Sequence, residues 1–242
     1  MPGVTLKNCT WQSLYRVNVR MADKYSVGRV FIAGDAAHAH SIAGGLGMNT
    51  GIQDAYNLGW KLAAVLKKEA APNLLNTYEE ERLPIAAWTL NISSERQKMM
   101  ADSVNKGADR GLQNIATKDN TQLNLNYRYS SLSVNLNNNA NGLQAGDRAP
   151  DAELADGSWL FDLYRGTHFT VLAFDAEQDV ADAINKRYAG KVKAWLIKGS
   201  KVINAFGIPN GLVVIRPDGY IGMITGPVDL DGVDGYLDML VG

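Results

Sequence analysis

The stretch Gly28-Arg29-Val30-Phe31-Ile32-Ala33-Gly34-Asp35-Ala36-Ala37-His38, with Gly44-Gly45-Leu46-Gly47-Met48-Asn49-Thr50-Gly51-Ile52-Gln53-Asp54-Ala55 after it, constrains this chain most. An apolar run over 29–33, bounded by Gly28 and Gly34, predicts a strand buried on both faces. A Gly-Asp step, a glycine-dense loop over 43–51 and a helix follow in that order. Gly34 permits a tight turn at the strand's end, and Asp35 offers a carboxylate that can accept hydrogen bonds from sugar hydroxyls. The glycines let a ligand approach the backbone, and a helix amino-terminus supplies unpaired N–H groups with a partial positive charge. Such a place suits a flat, electron-accepting ring whose oxygen becomes anionic on reduction.

Around this unit the pattern predicts a strand over 11–20 with one polar face. The helix after the glycine loop carries Ile52, Ala55, Gly59, Leu62 and Leu66 at helical spacing, ends near Lys67 and Lys68, and is followed by Pro72. Thr77-Tyr78-Glu79-Glu80 reads as a capping box opening a second helix towards Met100, with Glu79, Glu80 and Glu81 as a solvated, dipole-matched start. Pro84 predicts a kink or a division at Leu83. Trp60 and Trp88 read as packing residues. The Asn-, Ser- and Gly-rich stretch 106–146 reads as a long connection.

A second pattern begins near Asp147. It predicts a turn at Asp156-Gly157, a buried strand over 168–174, a helix over 180–188 and a strand over 192–197. Strands over 212–215 and 220–225 join across Pro217-Asp218-Gly219 as a hairpin, and a helix over 231–241 closes the chain. This order matches a small thioredoxin-like sheet. Asp175-Ala176-Glu177-Gln178-Asp179 stands where a redox member would carry two cysteines, and Ile208-Pro209 stands where that fold commonly has a cis proline, here with a geometric role.

The 24 Lys and Arg against 25 Asp and Glu leave a net charge of -1, which gives no general attraction for nucleic acid or anionic membrane. A single cysteine, Cys9, excludes an internal disulfide and a thiol-disulfide oxidoreductase, fits a cytoplasmic protein, and is expected as a small half-buried apolar residue. No apolar run reaches the ~20 residues a bilayer requires, and the first residues lack a signal peptide's order. His38, His40 and His168 have no acidic or histidine cluster at ligand spacing around them, so no metal is expected, and His38 and His40 read as structural.

The Gly-Asp and Gly-Gly-Leu-Gly-Met-Asn segments are similar to the second FAD motif of class A flavoprotein hydroxylases, the phenol hydroxylase and polyketide hydroxylase group. Asn57-Leu58-Gly59-Trp60-Lys61-Leu62 and Tyr78-Glu79-Glu80-Glu81-Arg82-Leu83-Pro84 resemble the same group, and Arg216 to Tyr220 resemble its appended domain. The chain departs at Ser41-Ile42, where the family usually has proline, and at Leu46, where it often has Gln. The resemblance implies a cofactor-binding set of Gly34, Asp35, Gly44, Gly45, Leu46, Gly47, Met48 and Asn49: Asp35 on the ribityl or ribose hydroxyls, the later backbone on the flavin pyrimidine edge. It names no catalytic residue. No G-x-G-x-x-G occurs, so an FAD pyrophosphate would need another chain or a longer product.

The expected fold is α/β. A partial FAD-binding, glutathione-reductase-like segment of strands plus long helices (1–105) precedes the connection (106–146) and a thioredoxin-like α/β domain lacking CxxC (147–242). The expected function is FAD- and NAD(P)H-dependent hydroxylation of a phenolic or polycyclic aromatic substrate. Expected partners are that aromatic molecule and either a second copy or a complementing amino-terminal flavin-binding chain, with neither nucleic acid nor membrane. The rival is a non-catalytic scaffold or dimerisation protein built on the redox-inactive carboxyl-terminal domain.

Overall fold

The computed structural model describes residues 7–14, 18–41, 45–105, 121–137 and 142–242. Four two-residue strands begin it: β1 (Arg20–Met21) pairs antiparallel with β4 (His38–Ala39), and β2 (Ser26–Val27) pairs antiparallel with β3 (Val30–Phe31). The β2–β3 turn is tight because Gly28 takes φ +60°. Two long helices follow, α1 (Gly47–Leu66) and α2 (Asn76–Asn105), joined by a short 3-10 turn over Pro72–Leu75. Tyr25, Ala37, Leu58, Tyr78 and Ala86 form the core between these strands and helices.

The carboxyl-terminal half is a five-stranded mixed sheet in the order β5-β9-β8-β6-β7. Its strands are β5 (Val134–Asn135), β6 (Phe169–Phe174), β7 (Val192–Ile197), β8 (Gly211–Ile215) and β9 (Ile221–Ile224). β6 and β7 are parallel, connected through α4 (Gln178–Arg187), and β8 runs antiparallel to both β6 and β9. Period-2 alternation divides the apolar side chains between two faces. Phe169, Val171, Ala173, Leu212 and Val214 meet α4 and α6 (Leu230–Val241) on one side. Leu172, Phe174, Val213 and Ile215 meet α5 (Ser200–Phe206) and α3 (Leu160–Tyr164) on the other. Ala64 of α1 and Leu74 belong to the first of these clusters, so the helix pair packs into the same core as the sheet.

Several expectations need correction. The strand predicted over 11–20 is confined to Arg20–Met21; Trp11 and Leu14 lie exposed in irregular chain, and 15–17 fall outside the described residues. The run 29–33 is a short strand whose Val30 is 67% exposed, because its single neighbour here is β2 and no layer covers that side chain. Cys9 is exposed, not half-buried. α1 begins at Gly47, so Met48 to Gly51 are its first turn and not a loop. α2 runs undivided through Pro84, which lies exposed, leaving the Glu80 carbonyl outside the helix ladder. Thr77 donates to the Leu74 carbonyl and does not close a capping box. Within 106–146, the described part contributes β5 and buries Leu125, Tyr127 and Leu132. The cis peptide among described residues is Gly226-Pro227, not Ile208-Pro209.

Candidate functional site

On α1 the buried residues are Thr50, Asp54, Asn57, Leu58, Lys61 and Ala64. Of the apolar stripe named from the sequence, Ile52, Ala55, Gly59 and Leu66 are exposed. The polar positions 50, 54, 57 and 61 also recur every three or four residues, and their interior partners decide which face turns inward.

Asp54 is the hub of the first polar group. Its Oδ2 accepts the Gly34 N–H at 3.0 Å and His38 Nε2 at 2.6 Å, and its Oδ1 accepts Arg82 Nε at 2.7 Å. Burial favours the protonated acid, but the His38 hydrogen bond, the Arg82 guanidinium and the Gly34 amide outweigh it and hold the carboxyl below its ordinary range. Arg82 also donates to the Thr50 carbonyl and the Tyr127 hydroxyl, and Gln122 donates to the Thr50 hydroxyl, so the first turn of α1 is anchored from beneath.

This hub fixes the Gly-Asp step against the helix. Gly34 takes φ +58°, opening a 3-10 turn over Gly34–Ala36, and a Cβ on Gly51 would lie 3.1 Å from Gly34 Cα. The left-handed φ favours glycine at Gly34, and a Cβ on Gly51 would crowd this approach. Asp35, next along, is exposed. Leu46 is buried as the residue before α1, no side chain caps the helix there, and Gly45, Met48 and Asn49 are exposed around the open end. Gly34, Asp35 and the 45–49 segment therefore share one corner; Gly44 lies outside the described residues.

His40 completes the corner. Because Asp54 accepts from His38 Nε2, a neutral His38 presents Nδ1 as an acceptor, which His40 Nε2 fills at 2.7 Å. The His40 ring packs on Gly47, 3.5 Å from where a Cβ would stand. Its Nδ1 is enclosed and has no partner among the described residues. Burial and the neighbouring His38 push the His40 pKa down to about 4, against the opposing pull of Asp35 and Asp54. The unfolded chain then binds this proton first, so stability falls as pH drops from about 6.5 to about 4. His40→Gln is expected to flatten that arm of a urea-midpoint curve against pH; an unaltered slope would show that His40 does not titrate this way.

A second buried group involves Glu81, which was expected in solvent and is fully enclosed. It pairs with Lys61 of α1 and with Arg216 at the end of β8. Glu79 and Glu80 are also engaged, by the Tyr25 and Ser26 amides and by Ser131. Trp60, read as packing, does stack edge-on against Phe169, and its indole N–H donates to Asp218.

Residues 3–93 match the family described as FAD binding domain, and residues 143–240 the family described as aromatic-ring hydroxylase, C-terminal. Each half of the chain is thus similar to a part of the FAD-dependent aromatic-ring hydroxylases. A flavin-dependent monooxygenase of Mycobacteroides abscessus is 45% identical over 223 residues, 92% of this chain and 42% of the relative. Pentachlorophenol 4-monooxygenase of Sphingobium chlorophenolicum is 40% identical over 235 residues, 94% of this chain and 41% of that protein. The chain thus spans about two fifths of the length of the curated relatives it matches. Among solved structures, aklavinone-11 hydroxylase with FAD and aklavinone superposes with a TM-score of 0.73 at 27% identity, covering 92% of this chain and 45% of that one. The rebeccamycin biosynthetic enzyme RebC with reduced flavin gives 0.71 at 30% identity, over 91% and 47%.

Sequence reasoning named the rim of this corner and missed its support. Asp54 and Arg82 stood inside the quoted motifs, but their partners lie up to 45 residues away along the chain.

Proposed function

We propose that this chain forms one wall of the flavin site of an FAD- and NAD(P)H-dependent monooxygenase that hydroxylates a phenolic or polycyclic aromatic substrate. The observation that carries the reading is the contact of Gly34 with Gly51, tied by Asp54, which sets an exposed carboxylate beside an uncapped helix start. These groups fit a flavin nucleotide. Asp35 would accept from ribityl or ribose hydroxyls, and the free N–H groups of the first turn of α1, near Gly47, Met48 and Asn49, would face the electron-rich pyrimidine edge. Gly34, Gly44, Gly45 and Leu46 would supply the close-packed backbone between them. Storage of the reductant's electrons and activation of oxygen are the chemistry FAD supplies when bound. This chain's part is to orient that ring and to hold a helix dipole where negative charge develops on it.

The names of the relatives, a pentachlorophenol monooxygenase and an aklavinone hydroxylase, support the aromatic substrate class. We read 1–105 as the flavin-facing part, 106–146 as the connection and 147–242 as a thioredoxin-like, redox-inactive domain, since β6-α4-β7, the β8–β9 hairpin and α6 follow that fold's order. No described helix is long and apolar enough to cross a membrane; the cytoplasm is the compartment we assign. The partner we assign is a complementing amino-terminal flavin-binding segment or a second copy of the chain. The scaffold reading is disfavoured by the Glu81–Arg216 pair, which welds the helix pair to the sheet.

Complementation tests the reading. Alone, the chain is expected to bind FAD more weakly than micromolar. Mixed with the amino-terminal segment of a relative carrying G-x-G-x-x-G, it is expected to retain FAD, quench its fluorescence and oxidise NAD(P)H when a phenol is added. Asp35→Ala in that complex should cost about 1.5–3 kcal/mol, at least tenfold in Kd. A stable complex that retains no FAD would sink the assignment.

A further inference from the structure

On the far side of α1 from the Asp54 hub, Tyr56 faces the β8–β9 turn, and its hydroxyl donates to the Pro217 carbonyl at 3.1 Å. A cleft of about 350 Å³ opens here, walled by Tyr56, by the Pro217–Gly219 turn, and by Phe161, Tyr164 and Arg165 at α3. That volume falls at the lower end of the range for small-ligand sites, roughly 300–1,000 Å³. Arg148 also lines the cleft.

Among the described residues, the lack of a carboxylate partner sets Arg148 apart from the fully buried arginines. The fully buried arginines are matched: Arg82 by Asp54, and Arg216 by Glu81 and Asp218. Arg148 is half-buried, with its guanidinium carbon 5.3 Å from the centre of the Tyr220 ring and its Nε enclosed without a hydrogen-bond partner. No carboxylate pairs with it among the described residues. The nearby acids are committed elsewhere. Asp147 is held by both arms of Arg128, at 2.6 and 2.7 Å, and Asp218 receives Arg216 and the Trp60 indole. Asp151 accepts the Phe161 amide, and Asp162 faces Arg165 on the rim. Arg148 thus presents a guanidinium with no carboxylate partner at the cleft wall, and an incoming carboxylate or phenolate would meet it with charge-assisted hydrogen bonds.

The walls specify the rest of the ligand. Tyr56 and Phe161 are 58% and 53% exposed, large for surface aromatics, and the Phe161 and Tyr164 rings lie 5.8 Å apart. Rings offered in this way take a planar aromatic partner by offset or edge contacts. We propose that this cleft is a binding site for a small aromatic anion, a ring bearing a carboxylate or phenolate, with the charge on Arg148 and the ring between Tyr56 and Phe161. The site is separate from the Gly34–Gly51 corner and does not require flavin. Its occupant would bridge α1 and the β8–β9 turn.

Benzoate is the probe, titrated into the chain and followed by calorimetry and by amide chemical shifts. Benzamide, which keeps the ring and lacks the charge, and acetate, which keeps the charge and lacks the ring, serve as comparisons. Benzoate is expected to bind at least tenfold more tightly than either, shifting the amides of Tyr56, Arg148 and Gly219. Arg148→Met should weaken it at least tenfold, with Arg148→Lys intermediate. Should Arg148→Met fail to fold, Tyr56→Ser on the exposed helix face is expected to weaken benzoate and leave acetate unchanged. Absence of benzoate binding, equal binding of benzoate and acetate, shifts confined to another surface, or full affinity in both Arg148→Met and Tyr56→Ser would overturn the proposal.

Discussion

Glu81→Ala is expected to destabilise the fold by about 3–5 kcal/mol, the effect of removing one partner from a buried ion cluster. Its carboxylate accepts five hydrogen bonds: from Lys61, Asn57 and an Arg216 arm on Oε2, and from Arg216 and Ser130 on Oε1. A carboxylate has about four lone-pair sites, so this one is saturated. Burial pushes Lys61 down to about 8 despite the attraction of Glu81, so in Glu81→Ala the lysine can discharge. Arg216 cannot, because guanidinium does not deprotonate in proteins. While Lys61 stays charged, one positive charge is buried in excess of Asp218; discharging it removes that excess but leaves the Lys61 amine and the Arg216 arms without the Glu81 acceptor. Removing Lys61 together with Glu81, as Lys61→Met with Glu81→Leu, leaves Arg216 and Asp218 balanced and is expected to recover most of the loss. Urea unfolding followed by circular dichroism compares the two; a double variant as unstable as Glu81→Ala would contradict the charge-balance account. In the native chain burial opposes ionisation of Glu81, but Arg216 and Lys61 overcome it and hold the acid well below the carboxylate range. Its contribution is therefore present above about pH 4.5 and lost as pH falls through the depressed folded value.

How far the sequence revealed this structure depended on whether a residue's partner was near in the chain. The second half was legible because local pattern decides its strands: β6, β8 and β9 are buried on both faces, β7 over 192–197 alternates buried with exposed, and the hairpin across Pro217-Asp218-Gly219 joins β8 to β9. The short α5 went unseen, since Ser200 to Phe206 is too brief to establish a period. In the first half the motif located the corner, but local pattern misassigned the inward face of α1. Ile52 and Leu66 advertise burial by composition, yet Asp54, Asn57 and Lys61 occupy it, satisfied by Arg82 and Glu81 from α2. Glu81 read as solvated for the same reason: Arg216, the partner that makes its burial tolerable, is 135 positions away. A polar stripe at helical spacing was visible throughout, and it is as periodic as an apolar one.

Asp54→Ala is expected to have the second large effect, again about 3–5 kcal/mol, because Arg82 would remain charged in a fully enclosed position. Two roles of Asp54 can be separated. One is to neutralise Arg82; the other is to hold the Gly34 amide and His38, and through them the turn that presents Asp35. Arg82→Met combined with Asp54→Ala removes the charge problem and leaves the Gly34 N–H and His38 without their acceptor. If neutralisation were the whole role, the double variant would return to near-native stability. The geometry at Gly34 predicts a partial recovery, with a remaining deficit of about 1–3 kcal/mol for the orphaned groups. It further predicts that, in the complemented complex, FAD affinity stays depressed in the double variant after most of the stability has returned. Stability and flavin retention recovering in step would mean that Asp54 acts on the fold alone and that the Gly34 turn is held by its glycines without it.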